Sequence, residues 1–207
     1  MDKKYDKNCI HCRLDSLALK YKLFEDENFW IVCDAHPLAE GHILIVTKEH
    51  LPCAGAISDR LFKRFEELYG EVQSFISSEY GQTAVFEHGV VGQTVFHCHV
   101  HFLPFGGSIK NIIKNEKDTS PLNSLRDLKS LYEKNGKYLF VSIGKKMWNV
   151  DTAIARPRFF RDIFATALGY SEKGDWKKSE ENQALKKDFQ RDIGRLRERW
   201  QNYKNKS

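Results

Sequence analysis

The sequence predicts an α+β fold, an antiparallel β-sheet with a helix packed on one face, followed by a mainly helical C-terminal extension. Short apolar runs of strand length recur through the first half. A single long segment between them has helical periodicity. Strands dominating one helix imply an antiparallel sheet with that helix against it.

In chain order, residues 29–34 form a strand, a turn follows around Pro37 to Gly41, and residues 42–48 form a second strand with the run Ile43-Leu44-Ile45-Val46. Ser58 is an N-cap, after which Phe62, Phe65, Leu68, Val72, Phe75 and Ile76 recur at helical spacing until Gly81. Strands at 83–87 and 95–104 are joined through the loop from Gly89 to Gly92. Beyond Gly106-Gly107 the chain changes character. Residues 108–136 are polar and Lys-rich, 138–143 read as a strand, and 157–168 as a helix. In the last stretch Leu185, Phe189, Ile193, Leu196, Trp200 and Tyr203 lie on one helical stripe, which must bury against its own domain or against a dimer partner. The expected division is a core domain over 1–107 and an extension over 108–207.

With 207 residues, 41% hydrophobic and 13% aromatic, the chain is globular; disorder, collagen and coiled-coil rods are excluded. Its longest apolar stretches fall far short of the roughly 20 residues that span a bilayer. The start, Met1-Asp2-Lys3-Lys4-Tyr5, leads into no apolar segment, so a cytoplasmic location is expected. Five cysteines, an odd number, argue for free thiols or metal ligands over disulfides. A net charge of +5 is modest and does not of itself imply nucleic acid.

All eight histidines, at 11, 36, 42, 50, 88, 97, 99 and 101, fall in the first half. Residues 97–103 read His-Cys-His-Val-His-Phe-Leu, so on a strand three imidazoles share one face at about 7 Å spacing while Cys98, Val100 and Phe102 enter the core. Such a row serves no packing purpose. It offers metal ligation, nucleophilic attack and proton transfer together.

With these residues the sequence resembles the histidine triad (HIT) superfamily of nucleotide hydrolases and transferases, whose signature is His-φ-His-φ-His-φ-φ with φ apolar. The likeness extends through Gly92-Gln93-Thr94-Val95-Phe96, Asp34, Pro37, His42 and the segment ending at His50, so it covers about residues 9–105. It makes 1–107 a HIT-like catalytic domain. The extension resembles those of some bacterial HIT proteins through Arg158-Phe159-Phe160-Arg161 and Asp175-Trp176. The resemblance implies that His99 attacks the α-phosphorus and forms a covalent nucleotidyl-histidine, later hydrolysed to a nucleoside monophosphate. It implies that His101 contacts the phosphoryl or leaving group and, standing where transferase branches carry Gln, favours hydrolysis over nucleotidyl transfer. Gln93 and Thr94 are then at the phosphates and Asp34 at the ribose, or Asp34 is a turn cap. Many relatives have Asn-x-Gly where this chain reads Glu87-His88-Gly89, which makes His88 either an added phosphate or sugar ligand or an exposed loop residue.

Cys9-Ile10-His11-Cys12 is half of a tetrahedral zinc site. Zinc-bearing HIT proteins complete theirs with the histidine ending the second strand and the first of the triad, here His50 and His97. The implied Zn²⁺ is structural, with His11 as an alternative ligand and a redox pair as the competing reading. Cys33, Cys53 and Cys98 read as small buried apolar groups. The leading function is hydrolysis of a dinucleoside polyphosphate or nucleoside phosphoramidate by a homodimer. The alternative is a nucleotide-binding or scaffolding module with a partner on the C-terminal helix. Nucleic acid binding is weakly motivated, because the charges of 171–207 are interspersed.

Overall fold

The computed structural model describes residues 5–179 and 181–206; residues 1–4, part of the start that motivates the cytoplasmic expectation, lie outside them. Strands β1 (Lys22–Glu25), β2 (Phe29–Cys33) and β3 (Ile43–Thr47) are followed by helix α1 (Asp59–Tyr80), then β4 (Thr83–Glu87) and β5 (His99–Pro104). The extension adds α2 (Ile109–Ile112), β6 (Thr119–Leu122), α3 (Asp127–Asn135), β7 (Leu139–Ile143), β8 (Lys146–Val150), α4 (Phe159–Ala167), α5 (Trp176–Ser179) and α6 (Gln183–Lys206). One eight-stranded antiparallel sheet results, in the order β1-β2-β3-β5-β4-β7-β8-β6.

The sheet continues past residue 107 without a break, because β7 pairs with β4 from Ala84↔Ile143 to Glu87↔Phe140. Sequence reading finds β7 but not β8 beside it or β6 at the edge beyond, strands that are at most half-buried over most of their length and whose apolar pattern is weak. Pro121 is tolerated in β6 because that strand forms the sheet edge. Helix α3 is also missed, hidden in the Lys-rich stretch; it packs Leu128 beneath Gly55, where an added Cβ would meet Leu128 O at 2.6 Å.

Each face of the sheet carries its own core. On one, Ile31, Ile45, Val85, Val100 and Phe102 pack under α1, α3 and α6; on the other, Ala84, Phe86, Leu103 and Val141 pack under α4. A smaller cluster of Leu19, Trp30, Val32, Leu44 and Val46 covers that second face over β2 and β3. Cys33, Cys53 and Cys98 lie in the first core.

Helix α6 settles where its stripe is buried. Ile193, Leu196 and Trp200 join the core beneath α1, and the Trp200 ring lies edge-on to Phe75 at 4.9 Å. The Trp200 indole N–H donates to the Leu23 carbonyl at 3.1 Å. On its outer side Arg199 reaches Glu40 and Glu79 at 3.2 Å, and Lys204 reaches Glu71 at 2.6 Å. The stripe therefore covers its own domain, and these basic residues face acids of the same chain. A scaffolding contact made by the apolar stripe of α6 has no free surface to use. Trp200→Ala should lower the unfolding free energy by about 3–5 kcal/mol in denaturant titrations, as for a large buried aromatic.

Candidate active site

Strand alternation places His99 and His101 on the second face, opposite Val100 and Phe102. His101 is flanked across the sheet by Leu44 and Phe86, and stacks on the Phe86 ring at 4.3 Å. The two imidazoles, 5.0 Å apart, line a cavity of about 220 Å³ with His11, Asp34, His88 and Thr94. The far wall comes from the extension, as Arg158, Arg161 and Trp176. No helix among the described residues is long and apolar enough to cross a membrane.

The hydrogen bonds determine where each imidazole carries its proton. His99 Nδ1 lies 2.5 Å from the His97 carbonyl, to which it donates, so the lone pair resides on Nε2. The Leu38 amide donates to His42 Nδ1 at 3.1 Å, which puts the His42 proton on Nε2. That proton is donated to His101 Nδ1 at 3.0 Å, so His101 carries its own on Nε2, a buried atom with no partner among the described residues. Burial holds all of these rings below the ordinary imidazole range, His42 down to about 4 and His99 and His101 in the same direction. The cavity therefore presents a neutral His99 ring with an open Nε2 lone pair beside a neutral His101 ring with an N–H to donate.

Asp34 closes the strand end and anchors the extension. Its Oδ1 accepts the His36 amide at 2.8 Å, the turn-cap reading, and its Oδ2 accepts Arg161 Nη1 at 2.7 Å. Arg161 also donates to the His36 carbonyl at 2.7 Å. Burial pushes the Asp34 carboxyl up, but Arg161, His42 and the His36 amide outweigh it and hold the pKa at about 2. Both carboxylate oxygens are thus engaged within the protein.

The remaining expected residues divide. Thr94 lines the cavity and accepts the Trp176 indole N–H at 3.3 Å. Gln93 does not line it, since its amide nitrogen donates to the Pro52 carbonyl at 2.9 Å, outside any strand. His88 is no exposed loop residue: it is 4% exposed, lines the cavity, and its Nε2 accepts the Phe160 amide of α4 at 3.2 Å. Glu87 turns the other way into the core, where it accepts the Ala54 amide at 2.8 Å and the Tyr138 hydroxyl at 2.5 Å. Burial pushes its carboxyl up to about 7 despite those donors.

His97 stands apart from the other two triad histidines, just before β5, so the strand begins later than 95. Its Nδ1 lies 3.4 Å from the Cys9 sulfur and 3.5 Å from that of Cys12, while His50 Nδ1 lies 3.3 Å from Cys12. The four ligand atoms lie within 4.8 Å of one another. His97 Nε2 donates to the Thr47 carbonyl at 2.7 Å, leaving Nδ1 with the free lone pair a metal needs. These separations suit zinc, since bonds of about 2.3 Å to sulfur and about 2.0 Å to nitrogen give tetrahedral S···N edges of about 3.5 Å. His11 is outside the cluster.

Residues 18–106 match the HIT domain family. An uncharacterized HIT-like protein of Borreliella burgdorferi is 31% identical over 104 residues, spanning 47% of this chain and 75% of that one. The chain belongs to the HIT family. The adenylylsulfatase HINT3 of Arabidopsis thaliana is 26% identical over 47% of this chain and 52% of its own length. Among solved structures, a HIT family hydrolase from Clostridium thermocellum overlays with a TM-score of 0.41 at 28% identity, covering 50% of this chain and 98% of that one. The similarity to these three is confined to about half of the chain. The sequence marked Arg158, Arg161 and Trp176 only as resembling other extensions; their place in the cavity wall depends on folding across more than 120 residues.

Because Asp34 is ionised and paired, its contribution to stability is present above its unfolded pKa near 4 and lost as pH falls through about 2. Acid unfolding monitored by tryptophan fluorescence should show this loss. In Arg161→Ala the carboxylate is left buried and unpaired, which should cost about 3–5 kcal/mol at neutral pH.

Proposed function

We propose that this HIT protein is a nucleotide hydrolase acting at the α-phosphorus of a dinucleoside polyphosphate or nucleoside phosphoramidate. The observation that carries the reading is the hydrogen bond from His99 Nδ1 to the His97 carbonyl, which leaves a neutral Nε2 lone pair on a cavity-lining ring. In the first step Nε2 bonds to phosphorus and the bond to the leaving group breaks, giving a covalent nucleotidyl-histidine. His101 Nε2–H donates to the phosphoryl or leaving-group atom as charge develops there. In the second step water attacks the same phosphorus, releasing the nucleoside monophosphate and restoring His99.

The likeness to the adenylylsulfatase HINT3 supports hydrolysis at a nucleotide phosphorus as the reaction class. With Asp34 engaged by Arg161, ribose binding through Asp34 requires the hydroxyls to share that carboxylate. His88, buried on the wall, is the better placed added ligand. The homodimer belongs to the same reading and rests on the family resemblance, and the cytoplasmic setting is carried over from the sequence pattern. A nucleic acid partner does not, because the basic residues of α6 that form ion pairs face acids of their own chain.

Cys9, Cys12, His50 and His97 are assigned as the holders of a structural Zn²⁺ that fixes the N-terminal segment to the start of β5. Removing it with a strong chelator should lower the melting temperature, with zinc readdition restoring it, as followed by calorimetry and elemental analysis.

His99→Ala should abolish monophosphate release from diadenosine polyphosphates and adenosine phosphoramidate, measured chromatographically, while retaining nucleotide binding. Full activity in that variant overturns the assignment.

A further inference from the structure

The histidine row that lines the cavity is not the row written in the triad. His97 has both ring nitrogens committed, Nδ1 near the two cysteine sulfurs and Nε2 to the Thr47 carbonyl. The position beside His99 that His97 leaves is filled by His11. Its ring centroid lies 4.8 Å from that of His99 and 5.6 Å from that of His97, edge-on to both.

His11 reaches this place because of its position between Cys9 and Cys12. The backbone turns tightly there, with the Cys12 and Arg13 amides donating to the Cys9 carbonyl at 3.1 and 3.2 Å. The two sulfurs turn toward His50 and His97, and the intervening imidazole faces the cavity. His11 is 4% exposed, and its Nδ1 is buried with no partner among the described residues. A buried ring nitrogen without a partner is unfavourable unless a group arriving in the cavity supplies one. His101 Nε2, beyond His99 on the same cavity, is in the same condition. Two buried imidazoles flanking His99, each with one ring nitrogen lacking a partner among the described residues, make a cradle for a group bearing several acceptor oxygens.

We propose that His11 is a substrate-contacting residue, donating a ring N–H to an oxygen of the phosphoryl group at His99, on the side away from His101. The working row is then His11, His99 and His101. The Cys-x-x-Cys turn thereby has a second role, presenting His11 to the substrate while its sulfurs face the candidate metal position. The inference rests on the reading of the cavity as a nucleotide phosphate site.

The test uses the full-length, metal-replete protein with AMP and adenosine as probes, binding being measured by calorimetry. His11→Phe keeps a flat ring between His97 and His99 but removes both nitrogens; His11→Gln keeps a donor. Zinc content and melting temperature are measured on each variant. The expected result is AMP binding weakened at least five-fold in His11→Phe and partly restored in His11→Gln, with adenosine affinity and zinc content at wild-type levels. The rate of covalent adduct formation on His99 from adenosine phosphoramidate, followed by intact mass, should fall at least ten-fold in His11→Phe. Unchanged AMP affinity in His11→Phe overturns the proposal. So does loss of zinc together with AMP affinity in both variants, since His11 would then act only through the fold. Wild-type protein that binds AMP and adenosine equally overturns the phosphate site itself, an outcome visible without either variant.

Discussion

A buried carboxylate needs a cation, and in this chain that cation comes from 127 residues away. The 2.7 Å contact between Asp34 and Arg161 joins the end of β2 to α4, and most of the site depends on it. It keeps Asp34 ionised beside His42 and His101, and it draws the α4 end of the extension over the cavity. The same helix start supplies the Phe160 amide to His88, while the Arg158 amide donates to the Gly92 carbonyl. Gly92 has φ of 78°, and an added Cβ would meet the Arg156 carbonyl at 2.7 Å, so the loop before β5 fits this segment only with glycine there. A family domain and its extension thus share one cavity and one sheet.

Protons in the site are ordered by backbone groups. The Leu38 amide and the His97 carbonyl, neither of them variable in chemistry, select the tautomers of His42 and His99, and His42 then selects that of His101. Burial complements this by keeping the rings uncharged. A neutral ring with an open Nε2 lone pair thus stands beside an oriented N–H donor, and neither must first lose or gain a proton to act as such. The candidate metal cluster works on the other side of His97, whose carbonyl orients His99 while its ring is directed at the cysteines.

Much of this was legible in the residue pattern. Period-two spacing placed His99 and His101 on one face, and the apolar partners Val100 and Phe102 on the other, because strand geometry leaves no alternative. The helical repeat of α1 and its end at Gly81 were equally plain. The short strands β6 and β8 were not, since half-buried edge segments have little hydrophobic alternation to read. The stripe of α6 was visible, but a stripe does not name the surface that covers it; α1 and the end of β1 do.

By itself the sequence determined the imidazole-bearing face and the paired cysteines, because these follow from spacing along one strand and one turn, while the resemblance to the HIT family implied His50 and His97 as the remaining candidate metal ligands. Tertiary structure decided the rest. It sent Gln93 to the Pro52 carbonyl, buried His88 on the cavity wall, turned Glu87 into the core, and brought Arg158, Arg161 and Trp176 opposite the triad. It also set His11, rather than His97, beside His99. These outcomes are long-range contacts between segments that carry no signal of one another, and only the closure of the eight-stranded sheet and the pairing of a buried charge bring them together.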